Sequence, residues 1–330
     1  MGLFKKDKIR NTFDGIEFDY VSDKRKYTIK IIQSNEKFSI PYILIIPKHI
    51  DDESMLVVEV NNCETENKAK LMDDAIHTGK NLVSKIGKNN CPVLIPVIPS
   101  VANEGYYQQL SKECFDMSSD NPLYRIDLQV LNIIEDAKDK LKEYASIKEK
   151  VFFNGYSSSG VFAQRFALLH PQIIDTLCVG GASGSIPMPT FELMYPLGIS
   201  DFVNLTGESF DFESYCQIKF RYYVGQLEDS RKSSNRYDEE GNFAPMHDMS
   251  YFIRSVPSEI GFKQRQLYGK NLLQRAINQE RILSLMGFDI EHIIFEGRSH
   301  NNLGGHGVNE LGDIYINSTY MNSNSFGIKR

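Results

Sequence analysis

The chain has 330 residues, 41% of them hydrophobic and 24% charged, a balance that supports a large buried core and excludes wholesale disorder. A formal charge of -6 excludes a dominant electrostatic attraction to nucleic acid, and no apolar stretch follows the charged N-terminus, so neither a signal peptide nor a membrane span is visible. The cytoplasm is the expected compartment, and Cys63, Cys91, Cys114, Cys178 and Cys216, odd in number and without a C-x-x-C pair, are expected to be reduced and mostly buried.

Residues 27–32 and 42–46 are apolar or alternating runs separated by the polar stretch 33–37, which predicts an antiparallel hairpin ended by Pro47. The nearly continuous apolar run 55–60 predicts a central strand delivering Asn61, Asn62 and Cys63 at its carboxyl end. A helix is expected over 67–86, with Gly79 as its weak point, then a strand over 92–98 and a surface loop over 99–107. The clearest helical period runs over 127–144, with Leu128, Leu131, Ile134, Ala137, Leu141 and Tyr144 on one face.

At residues 151–153 a short apolar run predicts a buried strand, and after Gly155-Tyr156-Ser157-Ser158-Ser159-Gly160 the period becomes helical at Val161, Ala163, Phe166, Ala167 and His170. Pro171 stops that helix, with His170 expected as its C-terminal cap. A strand over 176–179 follows. Between 182 and 215 the period disappears among prolines and aromatics, which predicts a lid-like insertion. Within it Phe191, Met194 and Tyr195, together with Asn61 and Tyr156, are the candidate lining of an apolar substrate pocket. A strand over 218–224 leads to Gly225-Gln226-Leu227-Glu228-Asp229, a helix over 264–286 is closed by Gly287, and a last strand over 292–295 leads to Gly297-Arg298-Ser299-His300. The tail 304–330 is polar.

Strands alternating with helices predict one α/β domain with a mostly parallel sheet covered on both faces. Ligands bind such sheets beyond the carboxyl ends of the strands. Four of those ends carry Asn61-Asn62, Ser157, Glu228-Asp229 and His300. A serine hydroxyl is a poor nucleophile at neutral pH, so it needs a base to take its proton and a carboxylate to orient that base. A strand, a sharp turn and a helix around G-x-S-x-G form a nucleophile elbow, and the order Ser157, then Glu228 or Asp229, then His300 matches the chain order that accompanies it. His306, beyond Gly304-Gly305, is a weaker candidate for the base, and His247, in a loop, is expected at the surface; no carboxylate spacing supports a metal site with His300 and His306.

With its G-Y-S-x-[GS]-G turn followed by F-A-x-R-F, the chain resembles the α/β-hydrolase superfamily over about residues 40–300, in particular bacterial esterase-like and depolymerase-like serine hydrolases. The resemblance implies an α/β-hydrolase fold, Ser157 as nucleophile, His300 as general base and, from the family's G-x-x-D pattern, Glu228 as the acid, with Asp229 as the alternative. The oxyanion hole would use the Ser158 N–H and one from the Asn61-Asn62-Cys63 loop, Asn62 or Cys63. The implied substrate is a small or medium carboxylic ester, without a cofactor or metal and without a nucleic-acid partner. Amide or peptide cleavage by the same triad, and a ligand-binding protein that keeps the fold without turnover, are the alternatives. The sequence departs from G-x-S-x-G at Ser159, which stands where the second glycine is expected.

Overall fold

The computed structural model describes residues 7–13, 16–22, 26–62, 65, 67–86, 90–99, 110–226, 258–270 and 272–298. A hairpin that the sequence period did not reveal, β1 (Asp7–Phe13) with β2 (Ile16–Ser22), forms its own two-stranded antiparallel sheet. The main sheet contains β3 (Tyr27–Ile32), β4 (Tyr42–Pro47), β5 (Val57–Val58), β6 (Val93–Pro96), β7 (Val151–Tyr156), β8 (Ile174–Gly180), β9 (Lys219–Gly225) and β10 (Ile290–Phe295). Their spatial order is β10-β9-β8-β7-β5-β6-β4-β3. From β6 to β10 every neighbouring pair is parallel, while β4 runs antiparallel to both β3 and β6.

Alternation along the strands divides the core in two. Ile43, Ile45, Val57, Val93, Ile95 and Phe152 face α1 (Lys68–Ile86), whose Leu71, Ala75, Leu82 and Ile86 are buried against them. Gly79 is no weak point. A Cβ there would lie 2.6 Å from Ile45 Cδ1 and 3.2 Å from Ile95 Cγ1, so its bare backbone lets the helix approach the sheet. Tyr42, Leu44, Leu56, Val58, Val151 and Phe153 point the other way, into a cluster shared with α3 (Ile126–Leu141) and α4 (Ser158–Leu169). The described helices also include the short α2 (Glu113–Asp116), α5 (Phe202–Thr206) and α6 (Phe212–Cys216), then α7 (Ser258–Tyr268) and α8 (Leu272–Leu285). None of them is long and apolar enough to cross a membrane. Cys91, Cys114 and Cys178 are buried, Cys216 is partly so, and no disulfide joins them among the described residues; Cys63 lies outside the described residues.

Three expectations are corrected. The buried face of α3 is Ile126, Asp127, Val130, Ile133, Ile134, Ala137 and Leu141, while Leu128 is 39% exposed and Tyr144 lies exposed beyond the helix end. Both stripes have helical spacing, and contact with the sheet selects the Val130 stripe. The single helix expected over 264–286 is two helices, broken at Gly269, whose φ of 131° no helix accommodates. His170 does not spend its side chain on its own helix. Its Nε2 lies 3.0 Å from Asp127 Oδ2, and that carboxylate also accepts Arg125 Nε at 3.0 Å and Nη2 at 2.8 Å.

This buried group ties the first turn of α3 to the last of α4. Burial pushes the Asp127 carboxyl up, but the His170 and Arg125 hydrogen bonds together outweigh it and hold the group at about 2. The folded chain therefore binds that proton more weakly than the unfolded chain. The stabilisation is fully present above about pH 4 and fades as the pH falls through about 2. Asp127→Asn is expected to lower the unfolding free energy by about 3 kcal/mol at pH 7. Urea unfolding at pH 7 and pH 3 checks it, with the gap to the native chain narrower at the lower pH.

Candidate active site

Between the last residue of β7 and the first of α4 stands Ser157, with φ 56° and ψ -115°. Residues with a Cβ avoid this region, and such a conformation costs about 1–3 kcal/mol. It is held from both sides: the Ser157 N–H donates to Gly180 O at 2.9 Å, and its carbonyl accepts the Val161 N–H at 3.0 Å. The turn is sharp because strand and helix meet backbone to backbone. A Cβ at Gly155 would lie 2.5 Å from Ser159 O and 2.7 Å from Gly160 Cα, and one at Gly160 would lie 3.0 Å from Val179 Cγ1. Ser157 is half-buried, whereas Ser158 and Ser159 are 5% and 0% exposed, so the turn presents the first of the three serines.

The sheet order sets the carboxyl ends of β5, β7, β8, β9 and β10 side by side. Asn61, after β5, bridges to the next strand with its side chain, donating to Ile98 O at 2.9 Å and accepting the Ile98 N–H at 2.6 Å. Asn62 reaches the elbow, its Nδ2 donating to Tyr156 O at 3.0 Å. On the other side of β7 the Tyr156 ring stacks on Tyr223 of β9, with centroids 6.1 Å apart, and Tyr223 meets Phe295 of β10 edge-on. Gly180 of β8 makes room for that ring, since a Cβ there would lie 2.0 Å from it. Just past β9, Gln226 Oε1 accepts the Gly297 N–H at 3.0 Å, which ties the end of β9 to the end of β10.

No family model matches the chain, and no curated protein matches it. Solved structures do. The chain is similar to poly(aspartic acid) hydrolase-1 from Sphingomonas sp. KT-1, with 14% identity and a TM-score of 0.55 over 84% of this chain and 95% of the other. It is also similar to a poly(3-hydroxybutyrate) depolymerase from Bordetella parapertussis, with 15% identity and a TM-score of 0.51 over 90% of this chain and 92% of the other. The chain has the α/β-hydrolase fold.

Within this α/β-hydrolase fold the structure brings Asn61, Asn62, Tyr156, Ser157 and Ser158 to one place. Glu228, Asp229, His300 and Cys63 lie outside the described residues, as do His247 and His306; the strand ends that lead to Glu228 and His300 are the neighbours joined by Gln226 and Gly297. The backbone N–H of Asn62 sits beside the Asp74 carboxyl, which burial pushes up and which this contact and His77 pull back. Of the candidate pocket residues between 182 and 215, Phe191 and Met194 are 78% and 42% exposed. Tyr195 is wholly buried, with its hydroxyl donating to Leu110 O.

A polar group that no sequence motif marks lies beneath the elbow. Glu59, one residue past β5, is 7% exposed; its Oε2 accepts Asn154 Nδ2 at 2.6 Å, and its Oε1 lies 3.2 Å from Ser159 Oγ. The signal was present as one acidic residue in an otherwise apolar strand run, opposite an asparagine in the run before the turn. Burial pushes the Glu59 carboxyl above its ordinary range. Asn154, Lys85 and Ser159 oppose that shift, and Asp74 adds to it.

Because the atoms facing Gly155 are backbone, they cannot swing aside. Gly155→Ala is expected to destabilise the fold by about 3 kcal/mol, the upper end for overpacking, and to lower the thermal midpoint by several degrees. Calorimetry of the variant checks it.

Proposed function

We propose that the chain is a serine hydrolase that cleaves a small or medium carboxylic ester through an acyl-enzyme on Ser157. The observation that carries this reading is the backbone of Ser157, strained at the apex of a strand-to-helix turn and more exposed than either serine that follows it. Strain of this kind persists where the surroundings over-determine it, and here its effect is to push one hydroxyl beyond the carboxyl edge of the sheet. The α/β-hydrolase fold agrees with this chemistry in class, and the two similar structures carry the names of a hydrolase and a depolymerase.

In the proposed reaction Ser157 Oγ attacks the ester carbonyl while His300 takes its proton, and Glu228 orients and stabilises the imidazolium that forms. The tetrahedral oxyanion is met by the Ser158 N–H, which in the first turn of α4 has no intrahelical acceptor, and by an N–H of the Asn62-Cys63 loop. The alkoxide leaves with the proton from His300. Water, deprotonated by His300, then attacks the acyl carbonyl and restores the serine. The exposed Phe191 and Met194 are proposed to contact the acyl part of the substrate.

Ser157→Ala is expected to lower kcat by about 10,000-fold or more and to abolish covalent labelling by a fluorophosphonate. Labelling that persists in the variant overturns the assignment. Glu228→Gln is expected to lower kcat about 1,000-fold while Asp229→Asn stays within about tenfold, and the reverse order moves the acid role to Asp229. Parallel assays on aryl esters and aminoacyl amides separate ester from amide cleavage.

A further inference from the structure

Ser159 occupies the place of the second glycine in G-x-S-x-G, and its hydroxyl is used. Ser159 Oγ accepts the Tyr156 N–H at 2.8 Å, lies 3.0 Å from Tyr156 O, and lies 3.2 Å from Glu59 Oε1. A hydroxyl has one hydrogen to give. If that hydrogen goes to Tyr156 O, the contact with Glu59 needs a hydrogen from Glu59. A carboxyl protonated on Oε1 supplies it, and its Oε2 is then the carbonyl oxygen that accepts Asn154 Nδ2 at 2.6 Å. All four contacts are satisfied at once. With a carboxylate, Glu59 and the Tyr156 carbonyl compete for one hydrogen.

The surroundings favour the neutral form. Facing Glu59 are Lys85 and Asp74 from α1, of opposite sign, the buried thiol of Cys178 from β8, and the uncharged Asn154 and Ser159. The two charges on α1 oppose one another, and burial is the largest influence, raising the carboxyl.

We propose that Glu59 is a positioning residue that acts as a neutral carboxylic acid, clamping Ser159 between both main-chain groups of Tyr156 and so fixing the Ser157 elbow. This rests on Ser157 being the nucleophile. Loss of the Glu59 proton draws the Ser159 hydrogen away from Tyr156 O and loosens the link between the end of β7 and the first turn of α4. Ser157 Oγ and the Ser158 N–H then lose their alignment, which slows the chemical step with little effect on substrate binding. The enzyme acquires a fall in kcat on the alkaline side that belongs to Glu59 and not to the base.

Glutamine keeps the shape and neutrality of the protonated acid, with an N–H for Ser159 and a carbonyl for Asn154. With 4-nitrophenyl acetate as the probe and the full chain as enzyme, Glu59→Gln is expected to hold its kcat at alkaline pH where the native enzyme declines. Glu59→Ala is expected to lose about tenfold in kcat at neutral pH with KM within twofold. Superimposable pH profiles for the native chain and Glu59→Gln overturn the proposal. A readout independent of turnover is the infrared C=O stretch of a protonated carboxyl. It is expected at neutral pH in the native chain and not in Glu59→Gln, and equal spectra overturn the proposal even where Glu59→Ala does not fold. Fluorophosphonate labelling that survives Ser157→Ala removes the catalytic reading alone, since the infrared band still reports the proton on Glu59.

Discussion

At Gly155 and Gly160 the backbones of β7 and α4 meet with no side chain between them, and the geometry of the site descends from that contact. The approach forces the connecting residue into a left-handed φ, and Ser157 adopts it at a cost of about 1–3 kcal/mol. Two main-chain hydrogen bonds, to Gly180 and from Val161, hold it there. The burial of α4 offsets the strain: every residue of that helix with a described side chain is buried, including Arg165, whose guanidinium burial pulls down to about 10. Relieving the strain would mean pulling a wholly buried helix off the sheet. The serine therefore stays at the apex.

Parallel pairing sets the neighbouring strand ends beside the half-buried Ser157. Because β7, β8, β9 and β10 are successive neighbours, their carboxyl ends share one edge at intervals of about 4.8 Å. The row of rings Tyr156, Tyr223 and Phe295 crosses β7, β9 and β10 near that edge, and the Gly297 N–H donates to Gln226 between the ends of β9 and β10.

Two buried carboxyls in the same core have opposite fates, and their partners explain why. Asp127 accepts hydrogen bonds from Arg125 and His170, and the charge of Arg125 adds to them, so the ionised form prevails over desolvation. Glu59, among the described residues, meets an uncharged amide and a hydroxyl and no paired cation at hydrogen-bond distance, while Lys85 and Asp74 act on it with opposite sign, so desolvation prevails. The first carboxyl joins two helices. The second lies under the elbow.

Much of this molecule could be read locally. The change from strand to helix period at Ser157, the main strands and the turn glycines are properties of short windows, because backbone geometry fixes periods of 2 and 3.6. Other features rest on contacts between distant residues. The stripe of α3 that turns inward depends on where the sheet lies, so Leu128 is left outside and Val130 is taken in. Gly79 reads as a weak helix position until Ile45 and Ile95 are seen against it, and His170 reads as a cap until Asp127, 43 residues earlier, is beside it. Glu59 and Ser159 are 100 residues apart. By itself the sequence determined that a serine stands at a strand-to-helix turn. Tertiary structure alone decided how that turn is held, because the backbones and the buried carboxyl that hold it are brought together only by folding.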